Sequence, residues 1–244
     1  MDKQRMKLSC LILTTLVLVS VSGCAGLAFV ADFIEGDKAP AVYEPEPKTT
    51  LVMLDDPFKV IPNSQIGRTI TSNVEYHMQK NMVDAVKEKN SKIKDPEKHE
   101  LHIELVPSDK IFALQDEMGK DFDKMPIDKI GKRMGADQVV YVSVQSFQTH
   151  YAVNVFKPKA TVEVKVIDSK TGKRLFPEGK VVVDTSITPP GYMLDVDLPY
   201  KGTNFEGPSE ELQLRRLLAE KIGLEVARMF YKHQKPQPGE TLPG

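Results

Sequence analysis

The chain has 244 residues, with 33 Lys and Arg against 34 Asp and Glu, and its formal net charge is -1. Hydrophobic residues make up 41% and charged residues 27%, a globular balance that excludes a wholly disordered chain and a polytopic membrane protein. There is no basic excess to displace counterions from phosphates, so the composition argues against nucleic acid as a partner.

The N-terminus has the parts of a secretory signal. Lys3, Arg5 and Lys7 form a basic start, and an uncharged run rich in Leu, Val and Ile follows over residues 8–20. Small residues then lead to Cys24, as they do before a cleavage site. An uncleaved membrane anchor is the alternative, because no charge occurs over residues 8–31 and about 20 apolar residues can span a bilayer.

The segment 21–24, Val-Ser-Gly-Cys, resembles the lipobox of bacterial lipoproteins. This resemblance implies cleavage between Gly23 and Cys24, and acylation of the Cys24 thiol by lipid chains such as palmitate. More than one acyl chain gives stable anchoring, so the membrane is the first expected partner. Ala25 follows the cysteine, which by the same resemblance implies a location in the outer membrane, facing the periplasm.

Composition divides the remaining chain into three parts. Residues 24–48 contain alternating Pro and Glu and predict an extended tether, part of which, 29–34, could alternatively pack on the domain or the bilayer. Residues 49–232 are long enough for a single α/β domain with its own core. Residues 233–244 contain three prolines and predict a disordered tail.

Hydrophobic periodicity predicts the elements of this domain in chain order. Residues 50–54 form a strand, and Asn63 or Ser64 caps a long helix with an apolar residue every fourth position from Ile66 to Val86. The order is β-α-β-α-α-β-β-β-α, and the fold class is α/β, a mixed sheet covered by helices. The later predicted strands are 101–105, 138–147, 160–168 and 179–185, and the later helices begin near Ser108, Pro126 and Pro208.

Two sequence signatures resemble a family of envelope domains. Residues 130–137 end a helix in Gly-Ala-Asp and run into a strand at 139–142; a second strand at 164–168 is followed by Thr-Gly-Lys-Arg-Leu-Phe at 171–176. Both are similar to anticodon-binding-domain-like proteins, which include penicillin-binding-protein activator lipoproteins, the curli secretion lipoprotein and the N-terminal domain of the Tol propeller protein. The resemblance implies a periplasmic interaction domain that is often oligomeric or docked on a larger machine.

Patterns of catalytic chemistry are scarce in this sequence. It has no Gly-rich phosphate loop and no Gly-x-Ser-x-Gly elbow. His99 and His102 point to opposite faces of a strand, so they are poor joint metal ligands. Carboxylates flank a single residue at 121 and 123 and again at 195 and 197, and solvated loop carboxylates are favoured over an acid pair or a Ca²⁺ site. The sequence therefore predicts no catalytic residue, no metal and no cofactor.

One long segment, residues 187–208, is rich in Pro, Gly and aromatic residues. A long irregular connection inside a compact domain is often functional. Exposed Tyr192, Tyr200 and Phe205 on it would suit a protein contact. The alternative is that Tyr192, Met193 and Leu198 cover the sheet edge.

The sequence favours a non-catalytic lipoprotein, anchored through acylated Cys24, that binds another envelope protein or a second copy of itself. The first alternative is a subunit of an oligomeric secretion or export complex. The lesser alternative is an envelope hydrolase, which would need a pocket with converging carboxylates or histidines.

Overall fold

The computed structural model describes residues 38–152, 155–178, 191–199 and 208–235. They fall into two compact units. In the smaller unit, strands Lys38–Ala39 and His233–Gln234 pair antiparallel, with Ala39 opposite His233. The predicted tail, 233–244, therefore opens with a short strand, and its residues from 236 on lie outside the described part.

The larger unit spans residues 41–231 and contains the predicted α/β domain. Short π-helical and 3₁₀ segments, Gln79–Asp84, Pro96–Lys98 and Gly119–Lys124, join some of its elements. In chain order these elements are β1 Thr49–Asp55, α1 Ser64–Met78, α2 Ala85–Ser91, β2 Glu104–Val106, α3 Ser108–Met118, α4 Ile127–Arg133, β3 Gln138–Ala152, β4 Val155–Asp168, β5 Arg174–Phe176, β6 Tyr192–Asp197 and α5 Pro208–Arg228.

The strands form one mixed sheet, which confirms the predicted fold class. Its order is β2-β1-β3-β4-β5, and β6 also pairs with β4. The pairs β1–β2 and β1–β3 are parallel, while β3–β4, β4–β5 and β4–β6 are antiparallel. Since β3 occupies one edge of β4, β5 and β6 share its other edge at successive positions.

One face of the sheet is covered by α1 and α5. Strand residues that alternate along β1, β3 and β4 pack there against both helices in a single apolar cluster, and most of them are fully buried. On the other face, α3 and α4 cover only part of the sheet, around Leu51, Met53 and Val139. Further along β3 and β4, the positions on this second face carry polar side chains, which α3 and α4 do not cover.

A π-helical turn interrupts the apolar stripe, the repeat of an apolar residue at every fourth position, that the sequence predicts from Ile66 to Val86. Ile66, Ile70, Val74 and Met78 are buried as the four-residue repeat predicts. Beyond them, Gln79–Asp84 is π-helical, and the wider turn brings Val83 into the core while Met82 is only partly buried. The stripe prediction fails there because it assumes 3.6 residues per turn throughout.

Local side-chain and backbone features begin and end several of these elements. The Asn63 side chain accepts a hydrogen bond from the Ile66 backbone N–H at 3.1 Å and caps α1. Gly135, at φ 72°, ends the turn after α4. Asp168 accepts hydrogen bonds from both the Thr171 N–H and the Thr171 hydroxyl, which shapes the β4–β5 corner together with Gly172 at φ 70°.

The folded unit begins before residue 49. The backbone N–H groups of Val42 and Tyr43 both donate to the carbonyl of Met229, at 2.7 and 3.0 Å. The Gln138 side-chain amide donates to the carbonyl of Glu46 at 2.8 Å. These bonds hold the last residues of the predicted tether, 42–46, against the domain.

The strands after residue 100 differ in position from the predicted ones. β2 begins at Glu104 rather than at residue 101, and β3 and β4 form a hairpin of 15 and 14 residues, longer than the alternation predicts. The predicted strand 179–185 lies outside the described residues. No helix in the described part of the chain is long and apolar enough to cross a membrane.

Candidate functional site

Tyr192 is the first residue of β6, a regular strand within the segment predicted to be irregular. It lies opposite Val164 of β4. The edge of β4 has backbone N–H and C=O groups that need partners. Residues 192–197 supply these partners when they form a strand, which favours a strand over a loop. Of the other residues singled out from the sequence, Tyr200, Phe205, Gly23 and Cys24 lie outside the described residues.

Among the described residues, Tyr192 is the last of three aromatic rings in a row. The rings of Tyr43 and Phe176 are 5.0 Å apart between centroids, and those of Phe176 and Tyr192 are 5.7 Å apart, both tilted by about 34°. Phe176 is 8% exposed, whereas Tyr192 is 36% exposed. Burial is the main cause that raises the pKa of Tyr43, with the nearby Glu46 carboxylate adding to it. Tyr43 is therefore partly removed from solvent, whereas Tyr192 lies at the surface.

The strand β6 alternates between buried and exposed residues. Leu194 and Val196 pack on the main apolar cluster, as does Leu198 just beyond the strand. Met193, which points to the opposite face from Tyr192, is 49% exposed. The segment thus covers the sheet edge, and Tyr192 and Met193 remain exposed on its two faces; a protein contact through Tyr192 stays a prediction.

A close backbone approach fixes where β6 begins. The N–H of Gly191 donates to Oε1 of Glu163, and Glu163 also forms an ion pair with Lys165 at 3.1 Å. A Cβ on Gly191 would lie 2.8 Å from the carbonyl oxygen of Val164, so any larger residue would have to push the strands apart. Tyr192 is consequently presented from a rigid base.

The sheet face that α3 and α4 cover only in part carries a group of hydrogen-bonded polar residues. The hydroxyl of Tyr141 donates to Oδ2 of Asp55 at 2.5 Å, and the amide of Gln145 donates to the Ser143 hydroxyl at 3.0 Å. Burial, followed by the hydrogen bond to Asp55, raises the pKa of Tyr141. Tyr141 therefore stays protonated and acts as a hydrogen-bond donor, which suits a structural role.

The histidines and carboxylates considered from the sequence do not converge. Rings of His99 and His102 contact the carbonyls of Ile93 and Ile103. Asp195 accepts a hydrogen bond from the Thr161 hydroxyl, and Asp121 pairs with Lys124. Within the ranges that the structure describes, no group of three or more His, Cys, Asp or Glu could hold a metal ion.

The sequence did not indicate a pocket between α1 and α3. Its volume is about 650 Å³, and it lies at the carboxyl end of β1, where the following loop and the first turns of α1 face α3. Asp123, named above as one of a possible acid pair, lies on its rim. The pocket combines residues that are up to 69 positions apart, from Leu54 to Asp123, so local patterns could not reveal it.

Comparison with known proteins identifies a similar family for part of the chain. Residues 114–188, less than a third of the chain, match the family described as "Putative lipoprotein GNA1162-like". This match covers α4, the β3–β4 hairpin and the Gly-Ala-Asp corner. No curated protein sequence matches the chain significantly.

Solved structures give weak matches. The PelC dodecamer from Paraburkholderia phytofirmans has a TM-score of 0.37 at 10% identity, covering 80% of this chain and 95% of that one. Lipoprotein GNA1162 from Neisseria meningitidis has a TM-score of 0.33 at 13% identity, covering 68% and 90%. The hypothetical protein CT253 from Chlamydia trachomatis has a TM-score of 0.36 at 12% identity, covering 73% and 92%.

Proposed function

We propose that this protein is a lipid-anchored, non-catalytic envelope lipoprotein that acts as an interaction or assembly adaptor. Acylated Cys24 holds it on the outer membrane, and the α/β domain faces the periplasm. The lipobox-like residues 21–24 and the match of residues 114–188 to a lipoprotein family support the anchor. Its partner is another envelope protein or a second copy of the chain.

The observation that carries the adaptor role is the surface at the start of β6. Tyr192 and Met193 are both exposed, on opposite faces of the strand, and Gly191 and the aromatic row hold the start of this strand in place. Protein contacts concentrate their binding energy in aromatic residues and Met that are held in place before binding. A preorganised Tyr also loses little conformational entropy when a partner covers it.

Photocrosslinking in intact cells tests this function. The variant Tyr192→p-benzoylphenylalanine is expected to form discrete products with an envelope protein or with a second copy. The matched control is Tyr76→p-benzoylphenylalanine, since Tyr76 is 56% exposed on α1. Absence of any protein product at position 192, or the same set of products from both positions, would contradict the proposal.

A further inference from the structure

The pocket between α1 and α3 has an apolar floor and a mixed, mainly acidic rim. At about 650 Å³ it is within the size range of pockets that bind ligands in proteins. Four aspartates line it against one Arg and one Lys. The apolar lining consists of Leu54, Ile61, Ile111, Phe112 and Phe122.

Most charges on this rim are already engaged. Both carboxylate oxygens of Asp116 accept hydrogen bonds from Arg68, at 2.9 and 3.0 Å, and the Arg68 guanidinium lies 4.9 Å from the centre of the Phe112 ring. The Asp56 carboxylate accepts hydrogen bonds from the backbone N–H groups of Val60 and Ile61. Asp123 is exposed, and its carboxylate has no ion-pair or hydrogen-bond partner among the residues described. The side chain of Lys59, also exposed on the rim, has no ion-pair partner among the described residues either, but four aspartates against one Arg and one Lys leave the rim with a net negative formal charge.

A rigid loop presents an aromatic side chain beside the pocket. Phe58 is 63% exposed and stands between Pro57 and Lys59, which both line the pocket. The hydrogen bonds to Asp56 hold this loop, and Lys59 adopts φ 52°, a left-handed conformation that costs a non-glycine residue about 1 kcal/mol or more. The domain keeps a strained turn that exposes Phe58 to solvent.

Gly67 keeps one wall of the pocket open. It lies inside α1, where Gly costs about 1 kcal/mol relative to Ala, and a Cβ there would come within 3.2 Å of Leu54 Cδ2. The helix thus carries a costly residue at the position where a side chain would crowd the pocket floor.

We infer that this pocket is a docking site for a segment of a partner protein that carries an apolar side chain next to a basic one. The floor takes the apolar side chain, Asp123 pairs with the basic one, and Phe58 packs along the rest of the segment. A ligand small enough to fit within the pocket would leave Phe58 uncovered, which favours a chain segment. The site is separate from the surface around Tyr192, so either can be tested alone.

Peptide binding to the full, detergent-solubilised protein tests the inference. Three capped hexapeptides serve as probes: Gly-Lys-Ile-Phe-Lys-Gly, its acidic counterpart Gly-Glu-Ile-Phe-Glu-Gly, and the apolar-free Gly-Lys-Ser-Gly-Lys-Gly. Binding is followed by NMR through the methyl signals of Ile61 and Ile111. We expect the first peptide to shift both signals and to bind at least about tenfold more tightly than either of the others, as one well-buried anchor contributes.

Variants assign the binding to this site. Phe58→Ala is expected to weaken the first peptide about tenfold, and Asp123→Lys about threefold to fivefold. The matched controls are Leu101→Ala, at a residue 80% exposed, and Glu44→Lys, which makes the same charge change at an exposed acid outside the pocket lining. Both controls should leave binding unchanged. Equal binding of all three peptides, unshifted Ile signals, or a similar loss in test and control variants would overturn the inference.

Discussion

The two faces of the sheet are built differently. On one face, α1 and α5 bury Val140, Val164 and their neighbours completely, so that Leu218, Ile222 and Val226 of α5 are 0% exposed. On the other face, α3 and α4 cover only part of the strands, and polar residues such as Tyr141 and Glu163 fill the rest.

This contrast separates stability from recognition in the molecule. The covered face contains most of the buried apolar area, which is the main source of folding free energy. The partly covered face leaves polar side chains accessible to partners, and exposed aromatic side chains lie beside the pocket, at Phe58, and at the start of β6, at Tyr192. The predictions below test that division through the free energy of unfolding.

The largest effect is expected on the covered face. Leu218→Ala removes a fully buried side chain from α5 and should lower the free energy of unfolding by about 2–5 kcal/mol, through lost burial and the cavity left behind. Chemical denaturation measures this. Leu212→Ala on the same helix, at a residue 56% exposed, should change it by less than about 0.5 kcal/mol. Equal losses of unfolding free energy in the two variants would contradict the claim that one side of α5 is buried and the other exposed.

A close helix crossing on the same face gives the next effect. A Cβ on Gly223 would press against Asn73 and lie 3.0 Å from the carbonyl oxygen of Ile70, so Gly223→Ala should cost about 1–3 kcal/mol. Gly67→Ala is the matched control. The new Cβ would meet only the ends of two flexible side chains, Leu54 at 3.2 Å and Ile61 at 3.8 Å, and the variant gains helix propensity, so its thermal unfolding midpoint should stay close to that of the wild type. A larger loss of stability in Gly67→Ala than in Gly223→Ala would contradict this account of the helix crossing.

A smaller effect is expected on the partly covered face. Tyr141→Phe removes the donor to Asp55, and because the pair is only partly buried the loss should be about 1–2 kcal/mol. Urea denaturation at neutral pH measures it, with the exposed Tyr76→Phe as a control that should change nothing. A loss as large as that of Leu218→Ala would show that this face stabilises the fold as much as the other one.

The smallest effect depends on pH. The hydrogen bonds from Thr171 hold the pKa of Asp168 below its usual value of 3.8. A depressed pKa stabilises the fold above pH 3.8, and that contribution disappears as the pH falls through the folded-state pKa. Asp168→Ala should therefore lower the thermal unfolding midpoint at about pH 6 and approach the wild type at about pH 2. A constant difference over that range would refute this assignment.

Sequence periodicity was sufficient for most of the fold because the apolar stripes are long and regular. The spacing of Leu214, Leu218, Ile222, Val226 and Met229 predicts one buried face on the last helix. All five residues are buried, although Met229 lies just beyond the end of α5. The cap at Asn63 and the stop at Gly135 follow from local chemistry, which depends only on near neighbours.

Where the prediction failed, the cause was contact between residues far apart in sequence. The strand β6, in the segment predicted to be irregular, forms by pairing with the free edge of β4. The π-helical turn, which places Val83 rather than Met82 in the core, departs from the regular spacing on which the prediction rested. The pocket is assembled from three separate stretches, and neither Phe58 nor Gly67 carries a local signal of it. Of the predicted contact residues, Tyr192 lies at the surface, and Tyr200 and Phe205 lie outside the described residues.

Mass spectrometry of the mature N-terminus tests the central proposal most directly. The protein purified from cell envelopes should begin at Cys24, with residues 1–23 removed and lipid mass on that residue. Cys24→Ala should abolish this modification and either release the protein from the membrane fraction or leave an unprocessed precursor. An unmodified Cys24 in wild-type protein recovered free of membranes would contradict the account.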